Sequence, residues 1–151
     1  MAALIRACPP LDANSTYAYL LLCRDFAATC AVVVGLDGKL AGAVTGYRPP
    51  ERSEVLFIWQ VAVATAWRGR GLASALLDHL LSRSALADVT HVETTIGPDN
   101  HGSEQLFHRL ARRRGSPLTV TPLFDASHLG ASHAAELLHR IGPFARSLSH
   151  V

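Results

Sequence analysis

The longest apolar segment of the chain, Val55 to Val63, carries apolar side chains at nearly every position. A strand that is apolar on both faces is usually central in its sheet and covered on both sides. Strict alternation predicts that two groups of side chains occupy opposite faces: Val55, Phe57, Trp59, Val61 and Val63 against Leu56, Ile58 and Ala62. The pattern therefore predicts a buried central strand.

Three other segments carry apolar residues at helical spacing. The first, Ser15 to Phe26, follows an Asp12–Ser15 stretch typical of a turn and helix N-cap, and it places on one side Tyr17, Leu20, Leu21 and Arg24. The second runs from Gly71 to Leu81. The third, Ser103 to Arg114, turns inward the side chains of Leu106, Phe107 and Leu110. These segments predict three amphipathic helices.

The remaining strand signals complete one sheet. Thr29–Leu36 and Leu40–Tyr47 flank Asp37-Gly38, which is a strong hairpin signal. Further strands are predicted at Val89–Ile96, Leu118–Phe124 and Leu137–Phe144. The order of elements predicts an α/β (α+β) fold, a mixed and mostly antiparallel sheet flanked by helices, as one domain over 1–151. The piece from Val55 to Ile96 is expected to be parallel and right-handed.

Candidate chemistry begins where the central strand ends, at Arg68-Gly69-Arg70-Gly71-Leu72-Ala73. A glycine-containing turn that opens a helix presents backbone N–H groups without helical partners, and the helix dipole adds positive potential. Glycine also lets a phosphate approach the backbone closely. The turn lacks the Gly-Lys-Ser/Thr ending of a Walker loop and the third glycine of a dinucleotide fingerprint. It predicts an anion site of another kind.

Composition excludes several classes of function. The net charge is +2, and the one arginine cluster, Arg112–Arg114, precedes Gly115 in the pattern of a helix C-terminus, so a nucleic-acid-binding surface is not expected. No run reaches the about 20 apolar residues of a membrane span. Cys8, Cys23 and Cys30 lack metal spacing and leave one unpaired, which favours a reducing cytoplasm.

The Arg-x-x-Gly-x-Ala turn and the order of elements resemble the GNAT N-acetyltransferase superfamily, as do Asn100, Ser103 and Leu106-Phe107. Longer strings are similar to one family within it, the diaminobutyrate acetyltransferases of ectoine biosynthesis. Those strings span about residues 4 to 144 and are Leu11–Leu22, Gly46–Pro50, Phe57–Val63, Glu93–Asn100 and Arg140–Phe144. The resemblance implies a cytoplasmic homodimer that helps make a compatible solute under osmotic stress.

The resemblance implies acetyl-coenzyme A as cosubstrate and no metal. The diphosphate is expected on the backbone of the turn, with charge from its arginines, at Arg68, Gly69, Arg70, Gly71, Leu72 and Ala73. The backbones of Val61 and Val63 are expected to pair with the pantetheine arm beside a strand bulge, and Val61 N–H to polarise the acetyl carbonyl. Asn100 is either a turn cap or a hydrogen-bond partner of that arm. Phe107 stands where many members place a tyrosine that protonates the departing thiolate.

The implied acceptor is L-2,4-diaminobutyrate, which carries two amines and a carboxylate. Its expected binding residues are Asp12, Tyr17, Trp59 and Glu136, for which capping, core packing and solvated-surface roles are the alternatives. The general base is left open among Glu54, Glu93 and Glu136. Because phenylalanine cannot donate a proton, the thiolate's proton is expected from water, the product ammonium, Tyr17 or Tyr19. His133 and His139 flank Glu136 at three-residue spacing, but no metal is expected.

Two further expectations follow from the resemblance. Family members begin with an extra strand and most of a helix before the Leu11–Ser15 segment, so an N-terminal strand is expected to be missing, with Leu4–Cys8 as the remainder of the helix and one sheet edge exposed. The competing functions are acetylation of another amine (a polyamine, an aminoglycoside or a protein N-terminus) and non-catalytic binding of acyl-coenzyme A.

Overall fold

A six-stranded mixed sheet organises the computed structural model, which describes residues 1–130 and 134–144. The strands are β1 Ala31–Val34, β2 Leu40–Tyr47, β3 Val55–Val63, β4 His91–Ile96, β5 Leu118–Phe124 and β6 Glu136–Ile141. The helices are α1 Ala2–Arg6, α2 Thr16–Asp25, α3 Leu72–Leu81, α4 His101–Arg114 and the short α5 Ala126–Leu129.

The sheet order is β1-β2-β3-β4-β6-β5. Among the described strands, β3 and β4 form the one parallel pair, and every other neighbouring pair is antiparallel. The predicted mixed, mostly antiparallel sheet is confirmed, as is the parallel strand–helix–strand piece. Helix α1 confirms the helix expected near Leu4–Cys8, although it begins and ends about two residues earlier.

Helices cover both faces of the sheet and produce two cores. The first core packs α3 and α4 on the sheet, with buried side chains that include Leu77, Leu80, Phe107, Leu110, Leu56 and Ile58. The second core packs α1 and α2 on the opposite face, with Ile5, Tyr19, Leu22, Ala43 and Ala62. Coverage of both faces explains why β3 is apolar throughout and confirms that it is a central strand.

A β-bulge at Trp59 changes which face each later residue of β3 occupies. Thr45 on β2 pairs with Gln60, but Gly46 pairs with Ile58, so Trp59 is the extra residue. An extra residue reverses the alternation of side chains beyond it. Leu56 and Ile58 therefore lie in the first core, whereas Ala62 lies in the second. The prediction that Leu56, Ile58 and Ala62 share one face was wrong for this reason.

Helix α2 begins after Ser15, whose hydroxyl accepts a hydrogen bond from Ala18 N–H at 3.2 Å. The apolar stripe through Tyr17 and Leu20 proves to be its outer face, since these two side chains are 69% and 61% exposed. The buried residues of this helix are Tyr19 and Leu22. Helix α4 ends at Gly115, which has φ +58°, so the predicted arginine-rich helix end is confirmed.

The close approach of β2 to β3 at the bulge depends on Gly46. A Cβ at this position would lie 2.6 Å from the Phe57 carbonyl oxygen and 3.3 Å from that of Thr29. Both obstacles are backbone atoms, which cannot rotate away as the end of a flexible side chain can. The absence of a side chain at Gly46 is therefore a condition for the bulge.

Replacement of Gly46 by alanine is expected to lower the free energy of unfolding by about 1–3 kcal/mol, because two backbone carbonyls must move. Gly102→Ala is the matched control, since a Cβ there meets nothing within 4 Å and alanine favours a helix. Urea denaturation of both variants measures the difference. Equal stability of the two variants would contradict the assigned role of Gly46.

Candidate active site

Two cavities meet beside the bulged part of β3. The turn cavity, of about 540 Å³, is bordered by the Arg68–Ala73 turn, by Val61–Val63 and by the start of α4. The bulge cavity, of about 700 Å³, is bordered by Phe57–Val61, by Thr94 and Thr95 of β4 and by the loop to α4. The two cavities share five lining residues, Pro10, Leu11, Val61, Asn100 and Ser103.

The cavities exist because β3 and β4 separate. Their parallel pairing covers only three residues of each strand and ends at Phe57 and Glu93. Beyond that point β4 continues to pair with β6, while β3 continues to pair with β2. The C-terminal half of β3 therefore borders an opening between two strands, which is the usual place for a ligand in an open sheet.

The hydrogen-bond pattern of β3 determines which backbone groups face this opening. Ala64 N–H donates to Ala41 C=O at 2.9 Å. Because bonded and non-bonded pairs alternate in an antiparallel ladder, Ala62 and Gln60 also bond to β2. Val61 and Val63 then point their backbone groups away from β2, as predicted. Val63 C=O already accepts from Cys8 Sγ at 3.4 Å and Arg68 Nε at 3.0 Å.

The predicted anion site is built from the glycine turn and the start of α3. Gly69 and Gly71 have φ of +73° and +76°, a conformation that other residues rarely adopt. Gly71 is the N-cap of α3 and offers no side-chain acceptor. The N–H groups of Leu72, Ala73 and Ser74 therefore have no intrahelical partner and receive no cap from Gly71.

The start of α4 forms the opposite wall of the turn cavity. Asn100 is its N-cap, and the Asn100 side-chain oxygen accepts from Ser103 N–H at 3.2 Å. The capping role expected as one alternative is confirmed, and Asn100 also lines both cavities. Ser103, Leu106 and Arg109 continue this wall at three-residue spacing along the helix. Arg109 adds a cation that the sequence analysis did not single out.

The bulge cavity has the opposite charge. Its described lining contains three carboxylates, Asp12, Asp99 and Glu136, and no cationic side chain. Hydrogen-bonding groups and aromatic side chains complete it, including Asn14, Tyr47, Trp59 and Gln60. A cavity with this charge suits a small cationic molecule, whereas the glycine turn suits a phosphate. The shared residues bring the two kinds of site to one junction beside Val61.

A strand pair that opens beside a bulge, next to a glycine turn and helix N-terminus, agrees with the fold expected from the resemblance. A sequence model of the acetyltransferase (GNAT) family matches residues 2–111. The chain belongs to the acetyltransferase (GNAT) family. The match extends from α1 to the last turn of α4, and it therefore includes both walls of the turn cavity.

Relatives within the GNAT family define a narrower group. The L-2,4-diaminobutyric acid acetyltransferase of Bordetella parapertussis is 49% identical over 142 residues, which are 93% of this chain and 76% of that protein. The enzyme of the same name from Nocardia farcinica is 51% identical over 138 residues, which are 91% and 71% of the two chains. The structure of a Paenibacillus lautus diaminobutyrate acetyltransferase with L-2,4-diaminobutyric acid and coenzyme A has a TM-score of 0.91 and 38% identity, and covers 97% of this chain and 89% of that one.

Most of the residues predicted for this GNAT site lie at the two cavities. Arg68, Gly69, Gly71, Leu72, Ala73, Val61, Val63 and Asn100 line the turn cavity. Arg70 does not line it. The Arg70 guanidinium lies 5.4 Å from the centre of the ring of Trp67, which does line the cavity. Phe107 is 2% exposed and contributes to the first core, and it borders the bulge cavity rather than the turn cavity.

The residues predicted for the acceptor divide into two groups. Asp12, Trp59 and Glu136 all line the bulge cavity, and Trp59 is the bulged residue itself. Tyr17 lines neither cavity, because it projects from the outer face of α2. Tyr19, which the sequence offered as a proton donor, is buried and donates its hydroxyl proton to Gln60 Oε1 at 3.1 Å. The structure thus separates Tyr17 and Tyr19 from the reacting region.

The three candidate bases lie in different parts of the structure. Glu136 borders the bulge cavity. Glu93 lies outside both cavities and is only 1% exposed; its carboxylate binds Arg52 Nη1 at 2.7 Å and Arg140 Nη1 at 2.5 Å. Glu54 precedes β3 at the end where the strand still pairs with β4, and its carbonyl accepts from Thr90 and His91. Glu93 and Glu54 therefore make their contacts at the end where β3 and β4 are paired, away from both cavities.

Among residues 1–130 and 134–144, no group of three or more His, Cys, Asp or Glu side chains is arranged to hold a metal ion. His139 is buried and its Nδ1 lies 3.2 Å from the Leu137 carbonyl oxygen, while His133 lies outside the described residues. The helices described here are all too short or too polar to cross a membrane.

Sequence reasoning missed three contributors to the site, each for an identifiable reason. Gln60 is the one strongly polar residue inside the apolar run of β3, and this exception was a usable signal. Arg109 shares a helix face with Ser103 and Leu106, which helical spacing could have shown. The segment from Cys8 to Leu11 lines the turn cavity, but its Pro-Pro pair carries no chemical signal of its own.

Proposed function

We propose that this chain transfers an acetyl group from acetyl-coenzyme A to the 4-amino group of L-2,4-diaminobutyrate, giving N4-acetyl-L-2,4-diaminobutyrate for ectoine biosynthesis. The observation that carries the proposal is the junction of an acidic cavity with an anion-binding turn at Val61. The junction supports acyl transfer from a phosphate-bearing donor to a cationic acceptor. Relatives near 50% identity, named for this activity, support the choice of acceptor.

The residues of the turn cavity fit coenzyme A. The N–H groups at the start of α3 and the positive-φ glycines Gly69 and Gly71 form a cradle for its diphosphate. Arg68 and Arg109 contribute positive charge to the lining, while Arg70 lies beside Trp67 at the rim. Acetyl-coenzyme A supplies an acetyl group activated as a thioester. Its pantetheine arm would lie along the side of β3 that faces away from β2 at Val61 and Val63, where the Val63 carbonyl already accepts from Cys8 and Arg68.

Val61 has the central role in the acyl-transfer step. Its N–H points into the opening between β3 and β4, where it would donate to the acetyl carbonyl oxygen as negative charge develops there. The backbone is held by the bulge and by pairing on the β2 side, so no reorganisation is needed when the charge forms. Removal of one such donor in other acyl-transfer enzymes costs about 2.7–4 kcal/mol of transition-state stabilisation.

The acceptor amine must lose a proton before it attacks, since its reference pKa is about 10. We assign Glu136 as the proton acceptor, because it is the candidate base that borders the bulge cavity. Asp12 would hold the second ammonium group, and Trp59 Nε1 and Tyr47 supply donors for the substrate carboxylate. Glu136 would take the first proton from the ammonium group and release it to solvent. The amine nitrogen then forms a bond to the acetyl carbon, the carbon–sulfur bond breaks, and the second proton lost by the nitrogen neutralises the departing thiolate.

The proposed function is tested by measuring free thiol release from acetyl-coenzyme A with a panel of amines. We expect turnover selective for L-2,4-diaminobutyrate, with spermidine, an aminoglycoside and a peptide N-terminus at least 100-fold poorer in kcat/KM. Proton NMR of the product should place the acetyl group on N4. Preference for another amine would support a different GNAT activity, and coenzyme A binding without any turnover would support a sensor.

Replacement of Glu136 by glutamine is expected to lower kcat by about 10²–10⁴-fold, because the amide has the same shape but cannot accept the proton. The affinity for acetyl-coenzyme A should change by less than twofold. Glu54→Gln is the matched control, since Glu54 lies at the opposite end of β3 and should keep full activity. Equal kcat for Glu136→Gln and wild type would exclude Glu136 as the base.

We further propose a homodimer in the cytoplasm. Support for the dimer is the exposed apolar surface on the β5–β6 side of the sheet, where Val120, Leu123, Phe124 and Leu137 are 39–45% exposed. Support for a reducing compartment is that all three cysteines are free thiols. Solution scattering is expected to give about twice the chain mass of 16.2 kDa. A monomer mass at high protein concentration would refute the dimer.

A further inference from the structure

The segment between α1 and α2, residues 8–14, touches both substrates' cavities. Cys8, Pro9, Pro10 and Leu11 line the turn cavity, and Pro10, Leu11, Asp12 and Asn14 line the bulge cavity. The 8–14 segment has no helix or strand of its own. A backbone bond from Cys8 N–H to Ile5 C=O joins it to α1, and hydrogen bonds that involve side chains hold it over the junction.

Two buried side chains provide those contacts at the acceptor end. Asn14 N–H donates to the Tyr19 hydroxyl at 3.2 Å, and this hydroxyl donates to Gln60 Oε1 at 3.1 Å. Gln60 Nε2 donates in turn to Asp12 C=O at 2.6 Å. Tyr19 is 3% exposed and Gln60 is 6% exposed. The chain of bonds therefore runs from α2 through β3 and closes on the 8–14 segment at two points.

The chemistry of the partners determines the orientation of Gln60. A backbone carbonyl only accepts hydrogen bonds, so the Gln60 NH₂ group must face Asp12 C=O. Its Oε1 must then face Tyr19, which donates to it and uses a lone pair for Asn14 N–H. Each polar atom in this chain of four groups has a partner. Tyr19→Phe removes the partner of Asn14 N–H and of Gln60 Oε1, and Gln60→Leu removes the partner of the Tyr19 hydroxyl proton and of Asp12 C=O.

The bulge connects this network to the reacting region. Gln60 lies between Trp59 and Val61, and the extra residue turns its side chain toward the second core, where Tyr19 is buried. Val61 meanwhile faces the opening. One irregularity in β3 thus orients the backbone donor for the acetyl group and holds the main chain of Asp12.

We propose that Tyr19 and Gln60 are positioning residues that determine affinity for the diamine, by holding the main chain at Asp12 and Asn14 in place over the bulge cavity. The inference rests on the proposed function, because it gives Asp12 an ammonium group to bind. Tyr19 lines neither cavity. Gln60 borders the bulge cavity, but its side-chain amide bonds to Tyr19 and to Asp12 C=O, and it does not contribute to the turn cavity. Loss of the network should therefore weaken acceptor binding and leave coenzyme A binding unchanged.

The test is calorimetric binding of L-2,4-diaminobutyrate to the protein saturated with coenzyme A, together with the Kd of coenzyme A itself. Tyr19→Phe, which removes one oxygen atom, is expected to weaken diamine binding about tenfold. Coenzyme A affinity should stay within twofold. Gln60→Leu is also expected to weaken diamine binding while leaving coenzyme A affinity within twofold. If Gln60→Leu does not fold, Tyr19→Phe alone carries the test.

Thr45→Val is the matched control. Thr45 is fully buried on β2 directly opposite Gln60, and its hydroxyl has no hydrogen-bond partner among the described residues. Valine has nearly the same shape and removes no bond of the network, so both affinities should remain within twofold of wild type. A tenfold loss of diamine affinity in Thr45→Val would show that this region is sensitive to any change, and would overturn the assignment.

A double-mutant cycle with Asp12→Asn separates positioning from general destabilisation. Once the Asp12 charge is removed, Tyr19→Phe should weaken diamine binding by less than threefold. Additive effects, equal losses for both ligands, or unchanged diamine affinity in Tyr19→Phe would each overturn the proposal. Wild-type turnover with diaminobutyrate is measured first, so failure of the proposed function is seen separately. If another amine proves to be the substrate, the same cycle is run with that amine.

Discussion

The site depends on one irregularity, the extra residue at Trp59 in β3. A regular strand at this point would continue its alternation, bury Gln60 in the apolar first core and leave that amide without partners, at a cost of about 1–3 kcal/mol. The bulge instead turns Gln60 to the face where Tyr19 lies. Gly46 makes the bulge sterically feasible, because the Phe57 carbonyl oxygen would lie 2.6 Å from any Cβ there. The pairing of β3 with β4 ends two residues before the bulge, at Phe57.

The two cavities at the opening between β3 and β4 carry opposite charge. On one side, the unpaired N–H groups of α3, Arg68 and Arg109 create positive potential at the turn cavity. On the other side, Asp12, Asp99 and Glu136 create negative potential at the bulge cavity. A phosphate-bearing donor and an ammonium-bearing acceptor are therefore drawn to different ends. Val61, Asn100 and Ser103 border both cavities, so the two ligands meet where the backbone donor of Val61 lies.

The features that sequence predicted are those specified locally. Two glycines six and eight residues after the end of the apolar run indicate the turn. Helical spacing indicates α3 and α4, and Asp37-Gly38 indicates the hairpin. The position of the bulge could not be predicted from local patterns. The reversal of side-chain alternation in β3 depends on how this strand pairs with β2. Tyr17 and Tyr19 show the same limit: both suit a helix, and only the second core determines which one is buried. Glu93 remained a candidate base in the sequence because nothing near it in the chain reveals its ion pairs. Its arginine partners, Arg52 and Arg140, are 41 and 47 residues away.

The 8–14 segment is attached to β3 at both of its ends, and the two attachments differ in strength. Near the donor, Cys8 Sγ donates to Val63 C=O at 3.4 Å, and a thiol is a weak donor. Near the acceptor, two bonds with oxygen and nitrogen partners reach the segment, and a third joins Tyr19 to Gln60, each with a net value of about 0.5–1.5 kcal/mol. The acceptor end of the segment is therefore the more rigid one. A long, flexible cofactor can adapt to small movements of the segment that lines its cavity. A small diamine is recognised by a few charged groups, so the distances between those groups must stay fixed.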